Sequence, residues 1–207
     1  MQGGLHKITV QKPNRKRLFI AIPIEGSWQS ALAALQTKAE ESHATSAVPT
    51  HWTPPHHFHI TVRFVGTVDK RYIPGIIAAI RVLTGRHRTF LLPFHGIEYA
   101  TRNEPKMIWA RFAKTASFNG LVREMTRQIS RFLQTRGDVR LLRSGHRVIP
   151  HVTLARAKGN LTATGMRSPD AVRHDLLLPV TSLVLYESVS EQGHTDYKTL
   201  ATFQLPR

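Results

Sequence analysis

Two short segments far apart in the chain, His59-Ile60-Thr61-Val62 and His151-Val152-Thr153-Leu154, repeat one pattern. The apolar alternation around each fits an extended strand, in which residues i and i+2 share a face. Each histidine then stands beside its threonine, while Ile60, Val62, Val152 and Leu154 turn to the opposite face. That apolar face has to pack against helices. The His/Thr face makes a poor core and a good floor for a site. Two such strands side by side would put two imidazoles across one cleft.

Periodicity elsewhere supplies the covering elements. Residues 17–24 (RLFIAIPI) form a buried-strand pattern ended by Pro23 and Glu25, and Ser27 is placed to cap a helix with the stripe Trp28, Leu32, Leu35 and Ala39. Residues 41–57 look like a loop stiffened by Pro54 and Pro55, and the first motif strand, 58–65, is expected to stop at Gly66. Ile73, Ile76, Ile77, Ile80 and Leu83 predict a second helix. Strands are expected at 88–100 and 106–113 around a turn at 103–105. A helix at 117–135 buries Leu121, Met125, Ile129, Phe132 and Leu133 and carries Arg123, Arg127 and Arg131 on its other faces. Strands follow at 148–157, 176–187 and 197–204, with a turn near Gly193. Each half therefore holds one HxTx strand and helices to cover a sheet, a weak internal duplication of one αβ unit. Residues 1–16, basic and without acid, read as a flexible tail, and 17–207 as a single domain of two lobes.

The absence of cysteine excludes disulfides, zinc-thiolate sites, Fe–S clusters and thiol nucleophiles. No apolar run approaches a membrane span, so no membrane partner is expected and a cytoplasmic location is. A formal net charge of +16, from 29 basic and 13 acidic residues, points to a polyanionic partner, nucleic acid first. Residues 102–158, which lead into the second motif, hold 13 Lys or Arg against 3 acids. Arg123, Arg127 and Arg131 form one candidate patch there, and Arg140, Arg143 and Arg147 another.

Two histidines suit the opening of a cyclic phosphodiester. Imidazole gives or takes a proton near neutrality, so one ring can take the proton of the attacking water while the other protonates the leaving oxygen. Hydroxyls of Thr61 and Thr153 and nearby cations can stabilise the phosphoryl oxygens, and no metal or other cofactor is required. Arg63, four residues past His59, lies on the same face under strict alternation. Arg156, five residues past His151, would turn away unless the strand bulges. Trp52 and Tyr186 are candidates to stack on a terminal base, whereas Phe64 is expected in the core. His51, His56, His57 and His59 are crowded, but Pro54 and Pro55 interrupt their spacing, His56 and His57 would point apart if extended, and no carboxylate lies within the run. A metal site is not expected.

These residues resemble the 2H phosphoesterase superfamily, named for its paired HxTx motifs, and within it the RNA 2',3'-cyclic phosphodiesterases, also called 2'-5' RNA ligases. RLFIAIPI is similar to the family's opening strand, WTPPHHFHITVRFVG (52–66) to its first signature, RVIPHVTLAR (147–156) to its second, and LVLYES (183–188) with Tyr197 to its ending. Val62 and Val65 stand where relatives usually have Leu, and residues 1–16 have no counterpart. The resemblance implies an α+β, bilobal fold: two antiparallel-rich sheets flank a central groove, with helices outside and pseudo-two-fold symmetry. It implies hydrolysis of RNA 2',3'-cyclic phosphate ends to 2'-phosphates without metal, on RNA, tRNA fragments or nucleotides. A monomer is expected. The resemblance also implies His151 as general base, His59 as general acid, and Arg156 as the motif arginine. Symmetry leaves the reverse assignment open. The alternatives are 2'-5' ligation as the main activity and an RNA-binding module with little catalysis.

Overall fold

The computed structural model describes residues 14–44, 46–100, 106–136, 148–161, 176–191 and 194–207. Its elements are β1 (Arg15–Pro23), α1 (Gly26–Ser42), β2 (Thr50–Trp52), β3 (His59–Asp69), α2 (Ile73–Thr84), β4 (Phe90–Ala100), β5 (Met107–Phe112), α3 (Ala116–Gln134), β6 (His151–Ala157), β7 (Leu177–Val180), β8 (Ser182–Glu191) and β9 (His194–Gln204). Several boundaries differ from expectation. Arg15 and Lys16 belong to β1 rather than to a tail, and Lys16 Nζ lies 2.6 Å from Glu187; residues 1–13 fall outside the described residues. Gly66 does not end β3: at φ 87° it sits inside the strand, which runs on to pair Asp69 with Arg15. The expected loop at 41–57 contains β2, which pairs with β6. The expected strand at 176–187 is two, parted at Thr181, because β7 pairs with β4 while β8 pairs with β1 and β9. Helix α1 is preceded by Glu25 rather than capped by Ser27.

The strands run in the order β7-β4-β5-β6-β3-β1-β8-β9, with β2 added on β6. Every described strand pair is antiparallel. The path is pinched at its centre, where β3 and β6 share the single register pair Ile60↔Val152. On one side lies β3-β1-β8-β9 and on the other β6-β5-β4-β7. The helices exchange sides. Helix α1 leaves β1 but packs behind the β4–β6 half, with Trp28 against Phe94 and Phe112 at ring separations of 5.9 and 5.6 Å. Helix α3 leaves β5 but packs behind β3. One apolar cluster therefore runs through both halves, and Ile60, Val62, Val152 and Leu154 are fully buried in it, as the alternation requires.

Bulges interrupt the motif strands just after each HxT triplet. On β6, Thr153 faces Trp109 and Ala155 faces Ile108, so Leu154 is an extra residue with no β5 partner. On β3, Thr61 faces Ala21 and Arg63 faces Ile20, so Val62 is extra. A bulge of this kind sets two successive residues on one side and reverses the alternation beyond them. The Leu154 carbonyl is satisfied from the helix side, by Thr53 N at 2.8 Å and by the buried Gln36 Nε2 at 2.8 Å. Gln36 Nε2 also donates to Thr53 O at 2.8 Å. One side chain of α1 thus holds the bulge of β6 and the chain that enters the first motif. We expect Gln36→Met to lower stability by about 1–3 kcal/mol in urea unfolding, since a buried amide loses both bonds. Thr37→Ala, on the exposed side of the same helix, should change it by less than about 0.5 kcal/mol.

Candidate active site

The Ile60↔Val152 pair turns two local patterns into one site. Carried one residue either way, that register sets His59 opposite Thr153 and Thr61 opposite His151, all four on the face away from the helices. The two histidines are then diagonal neighbours, with Cβ atoms about 7–8 Å apart by sheet geometry. Each ring is tied in the same way. His59 Nδ1 lies 2.7 Å from the His57 carbonyl, and His151 Nδ1 lies 2.8 Å from the Ile149 carbonyl. A carbonyl only accepts, so Nδ1 carries the hydrogen in both rings. Nε2, on the far side of each ring, has no hydrogen-bond partner among the described residues. A neutral ring held this way offers a lone pair, and a protonated one offers N–H, in the same place.

Burial keeps both rings neutral. It pushes His59 down from 6.5 to about 4, against the pull of its bond to the His57 carbonyl, and the His151 charge lowers it further. His151 is also lowered, first by burial, with Arg156 acting the same way, while its carbonyl partner and Glu98 oppose the shift. Arg156 lies within electrostatic reach of both rings, and His151 within reach of His59.

The surroundings correct several expectations. Arg63 does not share the His59 face: the bulge at Val62 turns it inward, where it is 6% exposed and reaches Ser130 of α3 at 3.5 Å. The same reversal brings out Phe64, which is 62% exposed rather than part of the core. The matching bulge at Leu154 resolves Arg156, which comes onto the His151 face, exposed, with Nη1 3.1 Å from Met107 Sδ. Phe64 and Arg156 thus occupy equivalent places, five residues after each histidine. Trp52 pairs in register with Ala155 and packs on the helix side, 6.2 Å from the His43 ring, so it does not flank the His/Thr face. Tyr186 does: it stacks on Phe19 at 5.2 Å, and its ring centroid is 6.3 Å from that of His59.

Other side chains at the site do not stand out as site residues in the sequence. Tyr197 of β9 stands edge-on to His59 at 5.2 Å, and Phe19 lies 5.0 Å from it. Trp109 of β5 stacks on His151 at 3.8 Å with the rings 23° from parallel, and its buried Nε1 has no partner among the described residues. The alternation of MIWARF, with Ile108, Ala110 and Phe112 buried, is the available signal for Trp109. His57, whose carbonyl holds His59, is itself fixed by Asp196 of β9 at 2.8 Å. That carboxylate arrives from a distant strand, which local spacing does not reveal. His56 and His57 do not point apart, because Pro55–His57 forms a tight 3-10 turn that brings their rings to 4.3 Å. Among the described residues no three His, Asp or Glu side chains converge as metal ligands. No described helix is long and apolar enough to cross a membrane. Arg140, Arg143 and Arg147 lie outside the described residues.

Known proteins are similar to this chain in sequence and fold. The family model described as LigT like Phosphoesterase matches residues 22–109. An RNA 2',3'-cyclic phosphodiesterase of Thermus thermophilus is 26% identical over 189 residues, covering 91% of this chain and 90% of its own length. One from Geobacillus stearothermophilus is 24% identical over 196 residues; the match takes in 92% of this chain, which spans 58% of that relative. The crystal structure of a Thermus thermophilus protein superposes with a TM-score of 0.76 at 25% identity, covering 91% of this chain and 97% of the other.

The burial of His59 has a measurable signature. NMR titration of the free protein should give His59 a pKa of about 4 and His151 one below 6.5. Glu98→Gln should lower His151 further, because the carboxylate that favours its charged form is gone. An unfolded chain protonates His59 near 6.5, so this ring makes folding less favourable as pH falls from 6.5 towards about 4, and makes no difference above that window.

Proposed function

We propose that this chain, a LigT-like phosphoesterase of the 2H superfamily, opens terminal RNA 2',3'-cyclic phosphates to 2'-phosphates by paired imidazole catalysis. The observation that supports this reading is the Ile60↔Val152 register, which makes the two histidines diagonal neighbours on one sheet face, each ring fixed by the carbonyl two residues before it. The names of the relatives support the choice of substrate.

In the proposed reaction water attacks phosphorus and passes a proton to His151 Nε2. The P–O3' bond breaks, and the 3'-oxygen takes a proton from His59 Nε2. The pair ends with its protons exchanged, and solvent restores the starting state. Trp109, stacked on His151, and Glu98, which favours its charged form, both suit a ring that must become imidazolium. His59, held near 4 in the free protein, has to gain its proton in company with the substrate. The negative phosphodiester entering a water-poor groove favours that charge. Arg156 and the Thr61 and Thr153 hydroxyls bear on the phosphoryl oxygens. Phe64 and Tyr186 offer ring faces to the terminal base.

The experiment is product mapping on an oligoribonucleotide ending in a 2',3'-cyclic phosphate, in EDTA. A 2'-phosphate should appear with wild type and be lost with His59→Ala and with His151→Ala. A 3'-phosphate product, an unopened end bound tightly, or a need for added metal would each sink the reading. The division of labour is tested with a substrate whose 3'-bridging oxygen is replaced by sulfur, a leaving group that needs no acid. It should restore His59→Ala and not His151→Ala; rescue of His151→Ala instead would reverse the roles. Since both free rings titrate below 6.5, kcat/KM should peak on the acid side of 6.5 and fall as pH rises beyond it. The kcat optimum should lie higher, because bound phosphate raises the pair.

A further inference from the structure

The helices behind the β3-β1-β8-β9 half carry a charge pattern that the groove chemistry does not use. Arg123, Arg127 and Arg131 lie at spacing four on α3, about 200° around the helix from the buried Met125 and Ile129. All three are exposed, pointing away from the sheet, and none makes an ion pair among the described residues. They form a row about 12 Å long with a step of about 6 Å. Arg81 of α2 and the turn residues Arg86 and Arg136 are exposed beside it. The only acid on these two helices, Glu124, lies 3.1 Å from His87. Helix α1, behind the other half, is different: its charges are Lys38, Glu40 and Glu41. Of the two helical layers, the one formed by α2 and α3 is therefore the basic one. Every positive group on α2, α3 and the turns that end them is an arginine, the side chain that grips phosphate through two parallel N–H bonds.

We propose that the exposed face of α2 and α3 is a second RNA-binding surface, which holds the body of an RNA whose cyclic end lies in the groove. The choice of RNA over another polyanion rests on the proposed function. Helix α2 packs behind β9, the edge strand that brings Tyr197 to the groove. A strand leaving the groove over that edge meets α2 and then the α3 row. The row binds phosphates and leaves the terminal nucleotide to the groove, so it distinguishes long substrates from short ones without touching the reaction.

The test compares wild type with Arg123→Gln/Arg127→Gln/Arg131→Gln on a nucleoside 2',3'-cyclic phosphate and on a long oligoribonucleotide with the same end. Direct binding of the oligonucleotide is measured over a salt series. A control removes equal charge from exposed lysines off these helices, as Lys38→Gln/Lys114→Gln/Lys158→Gln. The arginine variant should raise the Kd and KM of the long substrate about tenfold or more at low salt, and reduce the slope of log K against log salt by about 2. Its turnover of the mononucleotide should stay at the wild-type level, which also reports an intact fold. Equal losses in the two variants, or an unchanged oligonucleotide affinity, would overturn the proposal. If wild type opens neither substrate, the catalytic reading has failed, and the binding arm still decides whether this face holds RNA.

Discussion

One backbone pairing, Ile60 with Val152, carries the architecture of the site. It is the only register pair between β3 and β6 among the described residues, yet it joins the two halves of the sheet and fixes which residues of the two motifs face one another. Antiparallel pairing about that point is what makes the motifs pseudo-symmetric. Because both residues are completely buried, slipping the register by one would drive His59, Thr61, His151 and Thr153 into the apolar layer. The apolar face and the His/Thr face thus specify each other. The exchange of α1 and α3 between halves adds a second tie, so the groove is floored by a sheet whose two sides share one core.

Chemical symmetry ends beyond the bulges, at Phe64 and Arg156. Both strands bulge at the same place and project the residue five positions after the histidine, but one projects a phenylalanine and the other an arginine. The two sides of the groove are therefore chemically unlike. The His59 side is aromatic, with Phe19, Phe64, Tyr186 and Tyr197; the His151 side holds Arg156, Trp109 and the Glu98–Arg111 pair, whose Nη1 and Oε2 are 2.9 Å apart. A nucleotide has the matching polarity, a flat base and an anionic phosphate. The environment of the histidines follows the same division. The aromatic side desolvates His59 most strongly, while the polar side gives His151 a carboxylate to offset its burial.

The histidine pair, the two motif strands and all three helices were legible in the sequence, because alternation and helical stripes are local signals that burial reinforces. What escaped was non-local. A bulge is set by which neighbour pairs with the strand and by what satisfies the freed carbonyl, here Gln36 from α1. Strict alternation therefore misplaced Arg63 and Phe64, and left Arg156 undecided. Strand β2 and the side taken by Trp52 depend on a partner a hundred residues away in the chain. Asp196, which fixes His57 and through it the carbonyl behind His59, arrives from β9. Gly66 looked like a strand end, but a positive φ beside the Val65 irregularity lets β3 continue.

The proposed reaction requires both imidazoles to address one phosphate. The most direct measurement is NMR of the ring resonances while a nucleoside 2'-phosphate is titrated in. Both His59 and His151 should shift with one common dissociation constant, and both pKa values should rise in the complex, His59 from about 4. A response from one ring alone, or two rings answering with different affinities, would contradict a shared site.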